Sequence, residues 1–359
     1  MTSTLDRPTT TLDEILSQPE CWTSCLRALD QMETIRKIGS NLPPDGEWLF
    51  IGCGTSYYIA LAAAASFAEI TGMPARAVPA SEILFFPELV LGKRRHIIPV
   101  LISRSGKTTE VVRAAQYLER ECGIRTIAVT CYGDQPLAQT SALPIVLNAA
   151  AEKSTVMTRS FSSMLLALQF LAASIAGKHA LLEELRQLPA RSAAMFERVP
   201  SLVRDFVSRH DLENYSFLGQ GPFFGIANEA MLKVMESSCS YAQVFHSLEF
   251  RHGPKSIVSP RSLVGFFISD KAYAAEVDLL EEMKALGATT MVVTSQPTSR
   301  IRAATDLLIE TPSGSDENSR LVACALAGQL LGLYTGLKKG LDPDSPRNLS
   351  QVVILNETV

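Results

Sequence analysis

The chain has 359 residues, of which 47% are hydrophobic and 19% are charged, and its formal net charge at pH 7 is −4. This composition is typical of a folded, water-soluble protein and argues against a disordered or membrane-embedded chain. The interspersed charges also argue against the basic surfaces by which proteins bind nucleic acid or anionic membranes.

The N-terminal region carries no sign of export. Residues 1–12, MTSTLDRPTTTL, lack the apolar segment of a signal peptide, and the seven cysteines form no Cys-x-x-Cys pair. We therefore expect a cytoplasmic protein with reduced thiols and no metal site. Residues 1–45 are expected to form a helical lead-in, of which residues 1–20 are Thr-rich and poorly ordered.

An internal repeat organises the rest of the chain. FIGCGTSYYIA (50–60) and FLGQGPFFGIA (217–227) align without a gap, and the similarity continues downstream. Each copy contains five short runs rich in apolar and β-branched residues, and these predict strands. The runs are EWLFIG (47–52), ARAVPA (75–80), HIIPVLIS (96–103), RTIAVT (125–130) and PIVLN (144–148) in the first copy, and YSFLG (215–219), YAQVF (241–245), LVGFFIS (263–269), TMVVT (290–294) and DLLIE (306–310) in the second.

Nearly continuous apolar strands indicate burial on both faces of a sheet. The sequence therefore predicts an α/β fold of two doubly wound parallel sheets, each a three-layer α/β/α sandwich, related by duplication. The expected domains are residues 46–190 and 205–340, followed by a C-terminal tail, 341–359, that closes the site.

Two loops of the first copy have the composition of an anion site. CGTS (53–56) and SRSGKT (103–108) follow strands, at the sheet edge where helix N-termini present free N–H groups. Glycine permits close backbone approach, and serine and threonine hydroxyls can donate to an oxyanion. The alternative is an ordinary turn and helix cap. The second copy has SDKAYA in place of SRSGKT, losing the glycine and gaining Asp270, which would repel an anion. A small monophosphate bound by the first copy is the expected ligand.

A group of charges marks the second copy. Glu229, Lys233 and Glu236 recur at helical spacing on one face, and His252 follows in LEFRHGP (248–254). A solvated ion-pair face and a structural histidine are the alternatives. A carboxylate that moves a proton between adjacent carbons, with a histidine acting on the ring oxygen, suits aldose–ketose isomerisation.

Together these motifs resemble a known family. The CGTS turn, the SxSGxT loop, the Glu-x-x-x-Lys-x-x-Glu helix, the HGP loop and the tail DPDSPRNL (342–349) are similar to the isomerase portion of glutamine–fructose-6-phosphate aminotransferase, which consists of tandem sugar isomerase (SIS) domains, and to SIS-type glucosamine-6-phosphate deaminases. The resemblance implies that Glu236 moves a proton between C1 and C2, and that His252 opens the sugar ring, often across a homodimer interface. Glu229 and Lys233 would support them, without metal or organic cofactor. The residues implied to hold the sugar phosphate are Gly54, Thr55, Ser56, Ser103, Arg104, Ser105 and Thr108, with Ser350 and Gln351 in the tail.

The chain departs from this family in three places. Thr2 stands where the family enzyme has a nucleophilic Cys, and the first strand begins near residue 47, so we expect no glutaminase domain. Gln351 stands where the family has a lysine that forms an imine with the ketose, and an amide cannot do so. Lys107 replaces an acidic residue of the phosphate loop.

These departures favour nitrogen removal over nitrogen addition. We expect a deaminase that converts glucosamine 6-phosphate to fructose 6-phosphate and ammonia. A deglycase for an amino-acid adduct of fructose 6-phosphate and a plain aldose–ketose isomerase remain alternatives, and a sugar-phosphate sensor without turnover is an alternative of another class.

Overall fold

The computed structural model describes residues 4–40, 46–92 and 96–355 and contains two parallel sheets. The strands of the first sheet are β1 Glu47–Gly52, β2 Ala75–Pro79, β3 Ile97–Ile102, β4 Ile127–Thr130 and β5 Leu143–Val146. They have the order β2-β1-β3-β4-β5, and each neighbouring pair is parallel.

The second sheet repeats this topology. Its order is β7-β6-β8-β9-β10, which is again second, first, third, fourth and fifth strand of the copy. The strands are β6 Asn214–Gly219, β7 Tyr241–His246, β8 Ser262–Phe267, β9 Thr289–Thr294 and β10 Leu307–Glu310. Phe50 lies opposite Ala77 and Val100, and its repeat equivalent Phe217 lies opposite Val244 and Gly265. The predicted α/β duplication is confirmed.

Helices connect the strands in the manner of doubly wound folds. In chain order they are α1 Thr10–Leu16, α2 Gln18–Gln31, α3 Glu33–Ser40, α4 Thr55–Thr71, α5 Ala80–Phe85, α6 Pro87–Leu91, α7 Thr109–Gln116, α8 Pro136–Thr140, α9 Arg159–Ile175, α10 His179–Arg209, α11 Pro222–Ser238, α12 Tyr273–Ala285, α13 Ser299–Ala304 and α14 Ala325–Lys338. Short 3₁₀ turns include Leu248–Arg251, Pro254–Ile257 and Glu317–Cys324.

The chain divides into two compact units, and each is built from separate segments. The unit around the first sheet comprises Glu20–Lys153, Arg159–Arg186 and Ser350–Val359. The unit around the second sheet comprises Met1–Pro19, Ser154–Thr158 and Gln187–Leu349. The domain boundaries expected from the sequence stay predictions.

The cores explain the strand pattern. All six residues of β8 are buried, and its Val264 and Phe266 pack with Leu280 of α12. Leu49 and Leu101 belong to a comparable cluster in the first unit. Burial on both faces is why the strands are nearly continuous apolar runs.

The expectation of a poorly ordered start is wrong for residues 4–20. Thr9 caps α1 by accepting a hydrogen bond from Leu12 N, and the Asp344 carboxylate accepts from Thr10 N and Thr11 N at 2.8 Å each. An anion at a helix N-terminus stabilises the helix, so the partner that orders this segment lies 333 residues away.

One helical stretch, Glu317–Lys338, is long and apolar enough to cross a membrane among the residues described. Its most apolar window is 94% buried inside the protein. This is the environment of a core helix in a folded domain.

Candidate active site

The candidate residues fall into two groups, one in each unit, and each group is described by itself. In the first unit, CGTS follows β1 and SRSGKT follows β3. β1 and β3 are neighbours in the sheet. The chain runs from β1 to β2 on one side and then returns to β3 on the other side of β1, so the direction of the strand order reverses between β1 and β3. Doubly wound sheets bind ligands at this point.

The CGTS turn is shaped by glycine. Gly54 precedes α4 with φ 55° and ψ −128°, and its repeat equivalent Gly221 precedes α11 with φ 52° and ψ −130°. A Cβ on Gly52 would lie 2.5 Å from the Ser56 carbonyl group. The two copies therefore share one backbone turn, but only the first places hydroxyl residues, Thr55 and Ser56, at the start of its helix.

The SRSGKT loop is closed by its own side chains. The Ser103 and Thr108 hydroxyls lie 3.1 Å apart, and Lys107 N donates to the Ser105 hydroxyl at 3.2 Å. Gly106 has φ +66°, and a Cβ there would meet Gln135 Cβ at 2.9 Å. The loop thus gathers three hydroxyl groups before the N-terminus of α7, which is a suitable arrangement for an anion.

Two groups hold the side chain of Arg104, the Glu152 carboxylate and the Gln351 carbonyl of the tail. Its guanidinium is buried, with Nη1 3.2 Å from Glu152 Oε1, and Nη2 donates to the Gln351 carbonyl at 2.9 Å. Glu152 also accepts a hydrogen bond from the Ser160 hydroxyl. Arg104 therefore joins the loop to the tail, and its direct contact with a phosphate stays a prediction.

The tail crosses the beginning of α7. Gln351 Nε2 donates to the Lys153 carbonyl at 2.6 Å, and Thr109 N donates to the Val353 carbonyl at 3.4 Å. Leu355 N donates to the Thr109 hydroxyl at 3.0 Å, whereas the Ser350 hydroxyl donates within the tail to Val352 O. Gln351, at the place of the family lysine, thus anchors the tail through both its side chain and its backbone.

The corresponding loop of the second copy is filled by the protein itself. Glu317 Oε2 accepts from Asp270 N at 2.7 Å and from the Ser269 hydroxyl at 3.1 Å. Asp270 does not act as a free repelling charge, because Arg320 pairs with both its oxygens at 2.7 and 2.9 Å. The second copy has no open anion loop because an internal carboxylate takes the donors.

Glu276 lies under the same loop. Its carboxylate accepts from Ser269 N at 2.9 Å and from the Ser247 hydroxyl at 2.5 Å. Burial raises the pKa of Glu276 to about 7, and the nearby Glu317 charge adds to this, although the two hydrogen bonds lower it. This carboxyl is therefore expected to take up a proton near neutral pH.

The raised pKa of Glu276 predicts a pH dependence of stability. The folded-state pKa of about 7 exceeds the ordinary value of 4.5, so the folded protein binds more protons than the unfolded chain between these values. The stabilisation is complete below pH 4.5 and is lost as the pH rises through 7. We expect the melting temperature to decline over this interval in the wild type and to decline less in Glu276→Gln, as measured by calorimetry. An unchanged pH profile in the variant would contradict this assignment.

The charged stripe of α11 is buried rather than solvated. The Lys233 side chain is 1% exposed, lies 3.5 Å from Glu229 Oε1 and donates to Glu236. Glu236 is the member that reaches solvent, with 18% of its side chain exposed. The solvated alternative is therefore wrong, and the helix instead holds a desolvated ammonium between two carboxylates.

Close packing on α14 fixes α11. Gly328, Gly332 and Gly336 recur every fourth residue, and a Cβ on Gly332 would lie 2.4 Å from the Lys233 carbonyl oxygen. A Cβ on Gly336 would lie 2.1 Å from the Ser237 carbonyl oxygen. The glycine face lets the two backbones touch at the turn of α11 that carries Lys233 and Glu236.

A cavity of about 220 Å³ opens beside Glu236. Cys239 lines it, together with the turn that contains Asp342 and Arg347 of the DPDSPRNL motif. The structure thus brings the carboxylate and this motif together, in a space of the size of a small polar ligand.

His252 is the fourth predicted catalytic residue of the second copy. It follows the turn Leu248–Arg251, its side chain is exposed, and within the described residues its imidazole makes no hydrogen bond or ion pair with Glu236 or any other group. Its predicted chemical role stays a prediction.

Two carboxylates that organise the loops were not predicted from the sequence, Glu152 and Glu317. Glu152 lies six residues after β5, and Glu317 lies seven residues after β10. Both lie at nearly the same distance from the last strand of their copy, and this was a usable signal. The glycine spacing of α14 was visible as well, in GQLLGLYTG (328–336).

Comparison with known proteins agrees with this architecture. The family model of the SIS domain matches residues 45–174 and 213–332. Glutamine–fructose-6-phosphate aminotransferase [isomerizing] of Pyrobaculum aerophilum is 27% identical over 349 residues, which cover 95% of this chain and 57% of that protein. The chain therefore spans a little over half the length of this curated relative.

Solved structures that match nearly the whole chain include two enzymes that are named for sugar phosphates. Glucosamine-6-phosphate deaminase from Thermotoga maritima is 29% identical with a TM-score of 0.80, over 97% of this chain and 100% of that chain. Tagatose-6-phosphate ketose/aldose isomerase from Escherichia coli is 22% identical with a TM-score of 0.84, over 98% of this chain and 97% of that chain. The second match shows the shared fold.

Proposed function

This chain belongs to the SIS domain family of sugar isomerases, and from that premise we propose that it deaminates a hexosamine 6-phosphate, with glucosamine 6-phosphate as substrate. The products would be fructose 6-phosphate and ammonia. The observation that carries the choice of nitrogen removal is Gln351, whose side chain is bound to the Lys153 carbonyl and has no amine to form an imine with a ketose.

The first unit would bind the phosphate. The two loops offer hydroxyl groups and helix N-termini at one point of the sheet. The groups proposed to contact the phosphate or the sugar are Gly54, Thr55, Ser56, Ser103, Arg104, Ser105, Thr108, Ser350 and Gln351. Lys107 is exposed and adds positive charge to the loop.

The second unit would supply the proton transfer. With the sugar open, Glu236 removes the proton from C2 and returns it to C1, while the C1 aldehyde oxygen gains a proton and the C2 amine loses one. The aldose amine thereby becomes a ketose imine of the same composition. Water then adds to C2 and ammonia leaves. Lys233 holds a positive charge beside the proton-carrying carboxylate, and Glu229 balances that charge from within the core.

His252 would open the sugar ring, and we extend the proposal to a homodimer in which this residue serves the partner's site. Its exposed imidazole, free of hydrogen bonds within the described residues, supports the extension. Sedimentation of the purified protein would measure the assembly.

Exchange of a carbon-bound proton of the sugar with solvent tests whether the protein is an enzyme, whichever group then leaves the sugar. Incubation with glucosamine 6-phosphate in D₂O should place deuterium at C1 of the ketose product, as seen by NMR, because the proton on Glu236 can exchange with solvent between its removal from C2 and its return to C1. An aldose–ketose isomerase would also exchange, but would release no ammonia. Saturable binding of glucosamine 6-phosphate with no deuterium at either carbon and no release of ammonia would contradict the proposal and indicate a sensor.

A further inference from the structure

Within the described residues, the His252 side chain does not help to fix the loop that carries it. The turn Leu248–Arg251 precedes the residue, and Gly253 follows it with φ +128°. Since the imidazole makes no hydrogen bond within the described residues, its position depends on how the loop backbone is held.

Helix α12 holds this loop at its base. The Ser247 hydroxyl donates to Glu276 at 2.5 Å, just before the turn. Phe250 is fully buried in the same hydrophobic cluster as Leu279 and Met283 of α12. These contacts fix the stem of the loop but leave residues 251–255 to be fixed by other groups.

One carboxylate holds both sides of the histidine. Glu282 Oε2 lies 2.8 Å from Arg251 Nε, and Glu282 Oε1 lies 2.6 Å from Lys255 Nζ. Arg251 directly precedes His252 and Lys255 follows it by three residues, so each oxygen takes a cation from one side. All three side chains are about one-third exposed. Exposed ion pairs contribute little to folding stability. The main effect of these two ion pairs is therefore to hold the geometry of the loop.

We propose that Glu282 is a positioning residue for His252, which it acts on through Arg251 and Lys255 and without touching the substrate. The inference rests on the proposed function insofar as His252 opens the sugar ring. A displacement of about 1 Å at a reacting group can lower a rate by up to about 100-fold. Loss of the two ion pairs of Glu282 should therefore lower the catalytic rate measurably.

The neighbouring residue provides a matched control. Glu281 lies on the same helix and pairs with Arg300 of α13 at 2.8 and 2.7 Å, away from the histidine loop. Glu281→Gln therefore removes an exposed ion pair of the same kind. We expect kcat/KM for glucosamine 6-phosphate to fall about 10-fold in Glu282→Gln and to stay within about twofold in Glu281→Gln.

A double variant separates positioning from general destabilisation. If Glu282 acts through His252, then Glu282→Gln should cost nothing further in a His252→Ala background. Equal additional losses in both backgrounds would overturn the inference, as would equal activity of Glu282→Gln and Glu281→Gln.

A readout independent of turnover distinguishes this inference from the proposed function. Amide hydrogen exchange of residues 251, 252, 253 and 255, which flank Pro254, should accelerate in Glu282→Gln and stay unchanged in Glu281→Gln. If His252→Ala keeps wild-type activity, the proposed role of His252 fails, and the exchange rates still decide whether Glu282 holds the loop. Unchanged hydrogen exchange in Glu282→Gln would show that Glu282 does not hold the loop and would overturn the inference.

Discussion

Replacing Glu236 by glutamine should lower kcat for the amino-sugar phosphate by about 10³-fold while leaving sugar-phosphate binding nearly unchanged. The amide retains the shape of the carboxyl group but cannot accept the C2 proton. Lys233 would keep Glu229 at 3.5 Å as a partner, so the buried ammonium is not left without a counter-charge. Steady-state kinetics and calorimetric titration of the phosphosugar measure the two effects separately.

The repeat offers a control for this variant. Glu69 occupies the position of α4 that corresponds to Glu236 on α11, and no buried lysine precedes it there. Glu69→Gln should leave turnover within about twofold of the wild type. Retained turnover in Glu236→Gln would contradict the assigned proton carrier.

Replacing Gly332 by valine should strongly destabilise the unit around the second sheet. Any Cβ at this position would lie 2.4 Å from the Lys233 carbonyl oxygen, so α14 and α11 must separate. Overpacking of this kind costs about 1–3 kcal/mol and at times more, and the backbone character of the clash puts this case at the upper end. The midpoint of urea unfolding measures the loss, and activity should fall with it because the displaced turn carries Lys233 and Glu236.

Gly39 is the matched helical glycine. It lies in α3, and a Cβ there would meet no atom of the described residues within 4 Å. Gly39→Ala should therefore be neutral or stabilise the protein by about 0.5–1 kcal/mol. A Gly332→Val protein with wild-type stability would show that the helices do not need this close contact.

The ten strands were predictable because each is a short apolar run that ends at polar residues. The β1 strand followed by CGTS and the β6 strand followed by GQGP even share their turn, since Gly54 and Gly221 have nearly the same dihedral angles. The repeat therefore revealed the topology as well as the elements, and the serine and glycine content of SRSGKT marked it as a candidate anion loop.

The supporting contacts were not predictable in the same way, because their partners lie far apart in the chain. Arg104 remains a predicted phosphate ligand, but its local sequence did not reveal that Glu152 and the Gln351 carbonyl hold its guanidinium. Asp270 looked like a free charge, yet Arg320 pairs with it. A local pattern identifies which residues are charged but cannot show which distant group neutralises them.

The same reason explains the error at the N-terminus. A Thr-rich, polar segment has little apolar surface of its own to bury, and this composition favours disorder. Residues 10 and 11 are nevertheless ordered by Asp344 in the DPDSPRNL turn.

The most direct test of the account is the release of ammonia from glucosamine 6-phosphate by the purified protein, measured beside fructose 6-phosphate supplied with glutamine. We expect stoichiometric ammonia and fructose 6-phosphate from the amino sugar, and no glucosamine 6-phosphate from the second mixture. Failure to release ammonia, with glucosamine 6-phosphate still raising the melting temperature, would contradict a deaminase.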